Sequence, residues 1–315
     1  MKSRTLTCIT AALTLALSPT IFAFAGVTLL QLSGDPFTNS TSQHRTEVEP
    51  DTFAFGSTVV SAFQVGRFFD GGASDIGFAT STNGGKSFTS GFLPGATPFS
   101  TPAGIYARVS DASVAYDAKG GVWLISFLGL FPNGNTREVD VLVSRSTDWG
   151  LTWSNPVVVN ADGDSKDKNW TVCDNTASSP FYGNCYTEFD DSKLVDQIEM
   201  STSTDGGQTW GTAQPTADHA HGIGGQPLVQ PNGTVIVPIV ASRVGSFSSC
   251  PSSPPMGARA GANRLKSLRW PSMLQPGAFA LLSRSPLLKL TRRAKSMSSG
   301  RTVVLNPGVR PVTSS

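Results

Sequence analysis

Short alternations of apolar and polar residues run along this chain, and no stretch carries the longer period of an amphipathic helix. "DIGFATS" sets Ile76 and Phe78 on one face, "DVLVSRS" sets Val141 and Val143, and "QIEMSTS" sets Ile198 and Met200. Period-two patterning of this length predicts β-strands with one apolar face. Each of the three strands runs directly into a turn rich in Ser, Thr and Gly.

The three turns are copies of one another. They read Ser81-Thr82-Asn83-Gly84-Gly85-Lys86-Ser87-Phe88, Ser146-Thr147-Asp148-Trp149-Gly150-Leu151-Thr152-Trp153 and Ser203-Thr204-Asp205-Gly206-Gly207-Gln208-Thr209-Trp210. The shared pattern is Ser-x-Asp/Asn-x-Gly-x-Ser/Thr-aromatic. Asp148, Asp205 or Asn83 accepts backbone N–H groups of a tight turn. Gly85, Gly150 and Gly207 permit positive φ. The hydroxyls of Ser81, Ser146 and Ser203 close the turn locally. Phe88, Trp153 and Trp210 fold back as apolar plugs. Each copy is expected to cap a β-hairpin.

A second repeat runs in phase with the first. Strand–turn–strand patterns begin at Glu49, Asp111, Trp170 and Gln226, and the turn copies begin at Ser81, Ser146 and Ser203. Both markers share a period of about sixty residues, the spacing of four short strands and their connections. Such a unit buries its two faces only against its neighbours. The fold class is therefore all-β, a β-propeller of four-stranded blades. Asp111, Asp167 and Gln226 begin successive inner strands and are candidates for ligand contact in the central channel, or for capping those strands.

Charge divides the chain. Residues 1–250 hold 13 of the 24 Lys and Arg and all 22 Asp and Glu, whereas residues 251–315 hold the other 11 cations and no acid. The N-terminus has the form of an export signal. Lys2 and Arg4 precede a short apolar run, Cys8 to Leu17, and Ala23-Phe24-Ala25 presents small residues where a signal peptidase reads. Residues 1–25 are expected to be cleaved, giving a secreted or periplasmic product with no integral membrane span after cleavage. Residues 26–43 lead into the repeats, which occupy 44–250. Export permits disulfides. Cys173 and Cys185 flank the turn-rich stretch "CDNTASSPFYGNC", so paired strands would bring them into a bridge.

The turn copies resemble the Asp-boxes, or BNR repeats, of the sialidase superfamily, over roughly residues 44–243. That resemblance implies a six-bladed propeller, here with about four blades and so incomplete as written. It also implies a glycoside hydrolase of exo-α-sialidase type acting on glycans or glycoconjugates, without a cofactor or metal. The family holds its substrate carboxylate with arginines, whose planar fork pairs with carboxylate in two places. Its first blade runs from an early Arg through a Gly-Arg strand end to a loop with an acidic general acid, and then to the first box. "HRTEVEP" and "SAFQVGRFFDGGASD" follow that order. The resemblance thus assigns Arg45 and Arg67 to the carboxylate and Asp70 to the acid, with Asp75 second. In later blades it assigns Glu188 in "CYTEFDD" to the base that activates a Tyr nucleophile, and Arg243 in "IVASRVG" to the carboxylate. The four tyrosines, Tyr106, Tyr116, Tyr182 and Tyr186, all precede the late blade in which the family carries its Tyr. Two readings stay open on that ground: an exported glycoside hydrolase, and a non-catalytic Asp-box propeller that binds glycan or protein.

Residues 251–315 read as a basic low-complexity tail rich in Arg, Ser, Pro and Leu. They are either a disordered or anion-bound tail or an out-of-frame translation, and the break inside a repeat unit favours the second. The tail lacks the interleaved aromatics that nucleic-acid binding would require, so no nucleic acid partner is expected. "DGDSKDK", Asp162 to Lys168, resembles a calcium loop with Lys166 where an oxygen ligand belongs. His219 and His221 form a His-x-His too small for zinc. Asn39, Asn169 and Asn232 fit the Asn-x-Ser/Thr acceptor pattern, which matters in a glycosylating host. No phosphate-binding glycine loop, Ser-His-Asp set or Cys-x-x-Cys is present.

Overall fold

The computed structural model describes residues 29–131, 138–216 and 219–241, and the backbone of 300–305. The export signal and Arg243 lie outside these residues. Among the described elements all are strands except one short 3-10 turn, Ser192–Leu194. A first meander comprises β1 (Glu47–Phe55), β2 (Thr58–Arg67), β3 (Ala73–Ser81) and β4 (Thr89–Phe92). A second comprises β5 (Arg108–Asp117), β6 (Val122–Leu130), β7 (Val139–Ser146) and β8 (Val157–Asn160). A third comprises β9 (Lys166–Cys173), β10 (Cys185–Asp191), β11 (Gln197–Ser203) and β12 (Gln214–Pro215). Within each meander consecutive strands pair antiparallel, and one further pair, Ala73 with Val109, joins β3 to β5. These are three four-stranded blades. In a fourth sheet, β15 (Val235–Ala241) pairs along one edge with β13 (Gly222–Ile223) and β14 (Leu228–Val229). Along its other edge it pairs with the backbone of β16 (Gly300–Leu305). No strand was expected in that tail, yet Thr302-Val303-Val304 is a β-branched run of the kind that suits one.

The middle strands are buried on both faces, not one. Ile76 and Phe78 of β3 enter one apolar cluster, with Leu142 of β7, while Val141 and Val143 enter the next. The polar alternates are buried as well: Ser74, Thr80 and Ser126 are all at most 1% exposed. The period-two pattern survives because a small hydroxyl can be buried when it finds a partner. Ser113 and Ser126 hydroxyls meet at 2.8 Å, and Thr171 and Thr187 at 2.7 Å.

Each copy of the turn, or box, caps the hairpin between the third and fourth strands of its blade, and the three share one hydrogen-bond pattern. The Ser81, Ser146 and Ser203 hydroxyls each accept the amide of Gly85, Gly150 or Gly207 at 2.9 Å. The Asp148 carboxylate accepts Leu151 N, Thr152 N and the Thr152 hydroxyl, and Asp205 accepts Gln208 N, Thr209 N and the Thr209 hydroxyl. Asn83 makes the two amide contacts and donates its Nδ2 to Ser87 instead. Two successive residues are left-handed in every box, and in the second box the first of them is Trp149, at φ 67°. Trp153 packs on Phe78 of the blade before it, with ring centroids 5.8 Å apart.

The boxes also join blades. Thr80, the residue before the first box, donates its hydroxyl to Gly150 O of the second at 2.6 Å. Arg145, before the second box, donates Nε to Gly206 O of the third at 2.6 Å. A side chain on Gly150 would run into Val60 and Thr80, so this glycine is required for blade contact as well as for its φ. Cys173 and Cys185 face each other across β9 and β10 and form a disulfide with Cα atoms 4.0 Å apart.

Candidate functional site

The first strands of the blades pack around a common cavity of about 320 Å³, and each enters it through the same distortion. Glu49 (φ 53°), Asp111 (φ 48°) and Lys168 (φ 50°) are left-handed residues in the inner strands β1, β5 and β9. The strand registers slip beside each of them: between Val48 and Asp51, between Ser110 and Ser113, and opposite Glu188 and Asp190. In the fourth blade Gly224 (φ 69°) interrupts the inner strand between β13 and β14. These four positions lie one repeat apart. A bulge re-aims a side chain off the sheet. A left-handed conformation costs a non-glycine residue roughly 1–2 kcal/mol, and persists where the surrounding structure enforces it. Here every bulge opens onto the channel mouth. Its lining comprises Glu49, Pro50 and Asp51, then Asp111 and Ala112, then Lys168, Asn169 and Trp170, then Gly224, Gly225 and Gln226.

The mouth is acidic. Glu49 accepts the Gln64 side-chain amide, and the Lys168 ammonium lies 3.5 Å from the Asp111 carboxylate. Burial and the neighbouring Asp111 carboxyl push Glu49 above the ordinary carboxylate range. Burial and Asp111 do the same to Asp167. Asp190 stands opposite Asp167 in the β9–β10 register, and burial, with Asp167 next in effect, pushes it up to about 8. Glu188 is 0% exposed, and neither of its carboxylate oxygens has a hydrogen-bond donor. Its complete burial, and then Asp190, hold it well above the ordinary range. Glu188 lies behind Gly225, where a Cβ would run into its carboxylate. Protonated acids beside other carboxylates can give and take protons in one place, the requirement for cleaving a glycosidic bond.

The residues assigned to the first blade lie elsewhere. Gln43 N donates to Arg67 O at 2.7 Å and Gly66 N to Thr46 O at 3.0 Å, which brings the backbones of Arg45 and Arg67 side by side. Arg45 is exposed, and Arg67 donates to Phe68 O at 3.0 Å. Asp70 pairs with Arg108 at 2.6 Å, and that guanidinium holds its carboxyl below the ordinary range. Arg108 also donates to Gly71 O and lies 5.4 Å from the Phe68 ring centroid. None of Arg45, Arg67, Asp70, Glu188 and Asp190 is among the residues that line the cavity. Asp75 is buried and accepts the Ser100 hydroxyl at 2.9 Å, and burial pushes it up to about 7. Sequence reasoning did not single out Arg108, Lys168, Glu49 or Asp190 as site residues. For Glu49 a signal was available, since it opens its hairpin in phase with Asp111.

The calcium-like loop is filled from within. The Lys166 ammonium, fully buried, lies 2.5 Å from Asp191, 2.9 Å from Asp162 and 3.6 Å from Glu199. Those three carboxylates converge as metal ligands would, around a cation the chain supplies itself. His219 meets Gln197 Nε2 at 2.5 Å and His221 donates to Val195 O at 2.8 Å, so the two histidines have separate partners.

Repeated four-stranded antiparallel units, each closed by a copy of one turn, define the class, an all-β fold of β-propeller blades. The chain is similar to a sialidase of Bacteroides fragilis, with 30% identity over 164 residues, covering 43% of this chain and 28% of that protein. Among solved structures it is similar to a Hadza microbial sialidase (TM-score 0.47, 17% identity, 61% of this chain and 41% of that one). It is also similar to the intramolecular trans-sialidase of Ruminococcus gnavus (TM-score 0.46, 14% identity, 64% of this chain and 67% of that one). The chain spans about a quarter of the curated relative and under half of the first of these structures. No family model matches it.

Proposed function

We propose that this chain is an exported, sialidase-like glycoside hydrolase that seats its glycan at the channel mouth. The observation that carries the reading is the convergence of three inner-strand bulges and the left-handed Gly224 on one cavity lined by Glu49, Asp51 and Asp111, with Asp190, of raised pKa, opposite Asp167 on the neighbouring strand. Asp190 donates a proton to the glycosidic oxygen as the bond to the anomeric carbon breaks. A channel carboxylate, Asp111 beside Lys168, takes a proton from the water that adds to that carbon. Trp170 offers a ring for the apolar face of a sugar. Under the family resemblance Arg45, Arg67 and Arg243 instead hold a substrate carboxylate and Asp70 is the acid. That assignment requires Asp70 to exchange Arg108 for the glycosidic oxygen.

A second reading, a non-catalytic glycan-binding propeller, is favoured by one observation: none of the four tyrosines lines the cavity. Hydrolysis of a panel of fluorogenic glycosides by the purified protein distinguishes the two. The hydrolase reading expects turnover that falls at least a hundredfold in Asp190→Asn, with Asp70→Ala as the comparison variant. Equal loss in Asp70→Ala alone would return the acid role to Asp70. Glycan binding without turnover would establish the second reading, and neither binding nor turnover would sink both.

A further inference from the structure

We infer that residues 32–43 form a strap that closes the outward face of the first blade and holds the two loops at that blade's channel end, so that these loops keep their positions only while the strap is seated.

The apolar side of the strap covers a cluster of its own. Val60, Ala62, Ile76 and Phe78 pack with the second blade, whereas Phe63, Val65 and Ala79, at alternate positions of β2 and β3, form a separate cluster on the opposite face. Leu32 and Phe37 of the strap pack on that cluster, together with Phe88 of the first box. Phe37 reaches further. Its ring lies 5.2 Å from Phe92 at the end of β4 and 5.9 Å from Phe99 in the connection to β5. Gly66, at φ 67°, leaves room for it, since a Cβ there would lie 3.1 Å from the Phe37 ring and 2.9 Å from Ser74 Oγ.

Hydrogen bonds fix the strap in register. Asn39 donates to the hydroxyls of Thr41 and Ser42, and its Oδ1 accepts the Ser74 hydroxyl at 3.1 Å. The Ser42 and Ser74 hydroxyls meet at 3.1 Å, and both residues are buried. Lifting the strap would strip these buried hydroxyls of partners, which costs free energy. The backbone follows: Phe69 N donates to Thr41 O at 3.3 Å, and Ser42 bridges to Phe68.

Both loops held in this way lie at the end of the blade where Glu49 and Asp111 enter the cavity. Residues 68–72 join β2 to β3, and residues 93–107 join β4 to β5. The first loop carries Asp70, paired with Arg108 at the head of β5. The second is tied back by the Thr97 hydroxyl to Ser74 O at 2.6 Å, and by the Ser100 hydroxyl to Asp75 at 2.9 Å. Ser74 is thus a common anchor for the strap, for Gly66 O near the end of β2 and for the second loop. Segments that share their anchors open as one cooperative unit.

The test is hydrogen–deuterium exchange of the purified full chain, read amide by amide, with Phe37→Ala and Asn39→Ala beside the unsubstituted protein. In the unsubstituted protein we expect equal protection at Phe69 N, which bonds the strap, and at Ser100 N and Gly104 N, which bond within their own loop. In either variant these three amides should exchange at least tenfold faster, while Gly150 N and Gly207 N in the boxes of the next two blades keep their protection. Loop amides that keep their protection in both variants would overturn the inference. So would a loss of equal size in all three blades, which marks a general fall in stability. Unequal protection of strap and loops in the unsubstituted protein would overturn it as well, and that comparison decides the matter even if neither variant folds.

Discussion

The Asp51 carboxylate accepts the Val114 amide at 2.7 Å across the first blade junction, and one repeat later the Ser113 hydroxyl accepts the Thr171 amide at 2.9 Å. Asp51 and Ser113 each follow their bulge residue by two positions, and Val114 and Thr171 follow theirs by three. At the third junction these positions hold Trp170 and Pro227, which both line a second cavity. Trp170 has no oxygen to accept with and Pro227 no N–H to donate, so acceptor and donor are absent together.

Removing the clamp leaves an amide without its partner. Asp51→Ala is expected to cost about 1–3 kcal/mol, read as a lowered urea midpoint at unchanged slope. Asp51→Asn, which keeps an acceptor oxygen, should cost less. Equal losses in both variants would mean that charge, not the hydrogen bond, holds the junction.

The boxes give a matched pair of substitutions. Asp148→Ala strips acceptors from Leu151 N, Thr152 N and the Ser146 and Thr152 hydroxyls, and should cost about 2 kcal/mol. Asn83→Asp changes which partner donates at Ser87 and removes no contact, so it should stay within about 0.5 kcal/mol. Thermal melts of the two variants, compared with the parent, check both figures.

Lys166 is shared by three carboxylates within the third blade. Burial disfavours its charge, yet Asp191 and Asp162 hold its pKa above the ordinary lysine value. Lys166→Met keeps the side-chain volume and removes the charge, leaving buried Asp191 unpaired. The expected loss is about 3–5 kcal/mol, measured by chemical denaturation. A neutral result would show that the carboxylates take up protons in the variant at little cost.

Stability should fall as pH rises through neutrality. Asp75 and Asp190 have folded pKa values of about 7 and about 8 against the ordinary 3.8, so the folded state holds more protons than the unfolded one over that window. Their contribution is full below about pH 4 and is lost as pH climbs through 7 and 8. Asp190→Asn should flatten the decline in melting temperature toward pH 8. Asp148 and Asp205 act in the opposite sense. Against the pull of burial, hydrogen bonds led by those from Thr152 and Thr209 hold them below 3.8. Their contribution is lost as pH falls below that value. A melting temperature that is level from pH 4 to pH 9 would contradict the burial of Asp190.

What was readable in the chain was local or periodic. The box contacts run from Ser81 to Gly85 or Asp148 to Thr152, so residue type and spacing specify them without help from the rest of the molecule. The hairpins, their common period and the all-β class follow from the same short-range pattern. So does the nearness of Cys173 and Cys185, which one hairpin brings together.

The channel mouth was not readable in that way. Glu49, Asp111 and Lys168 adopt a conformation that glycine favours and their own side chains disfavour, because packing of neighbouring inner strands overrides local preference. Lys166 looked like a misfit in a calcium loop until folding brought Asp191 and Glu199 to it from later strands. Arg108 gave no signal, since its partner Asp70 lies 38 residues away in the chain. The sequence by itself determined the repeating unit, because each box and hairpin is closed by neighbours a few residues apart. Only the tertiary structure decided which charged groups meet, because those contacts cross from blade to blade and exist only once the blades have packed.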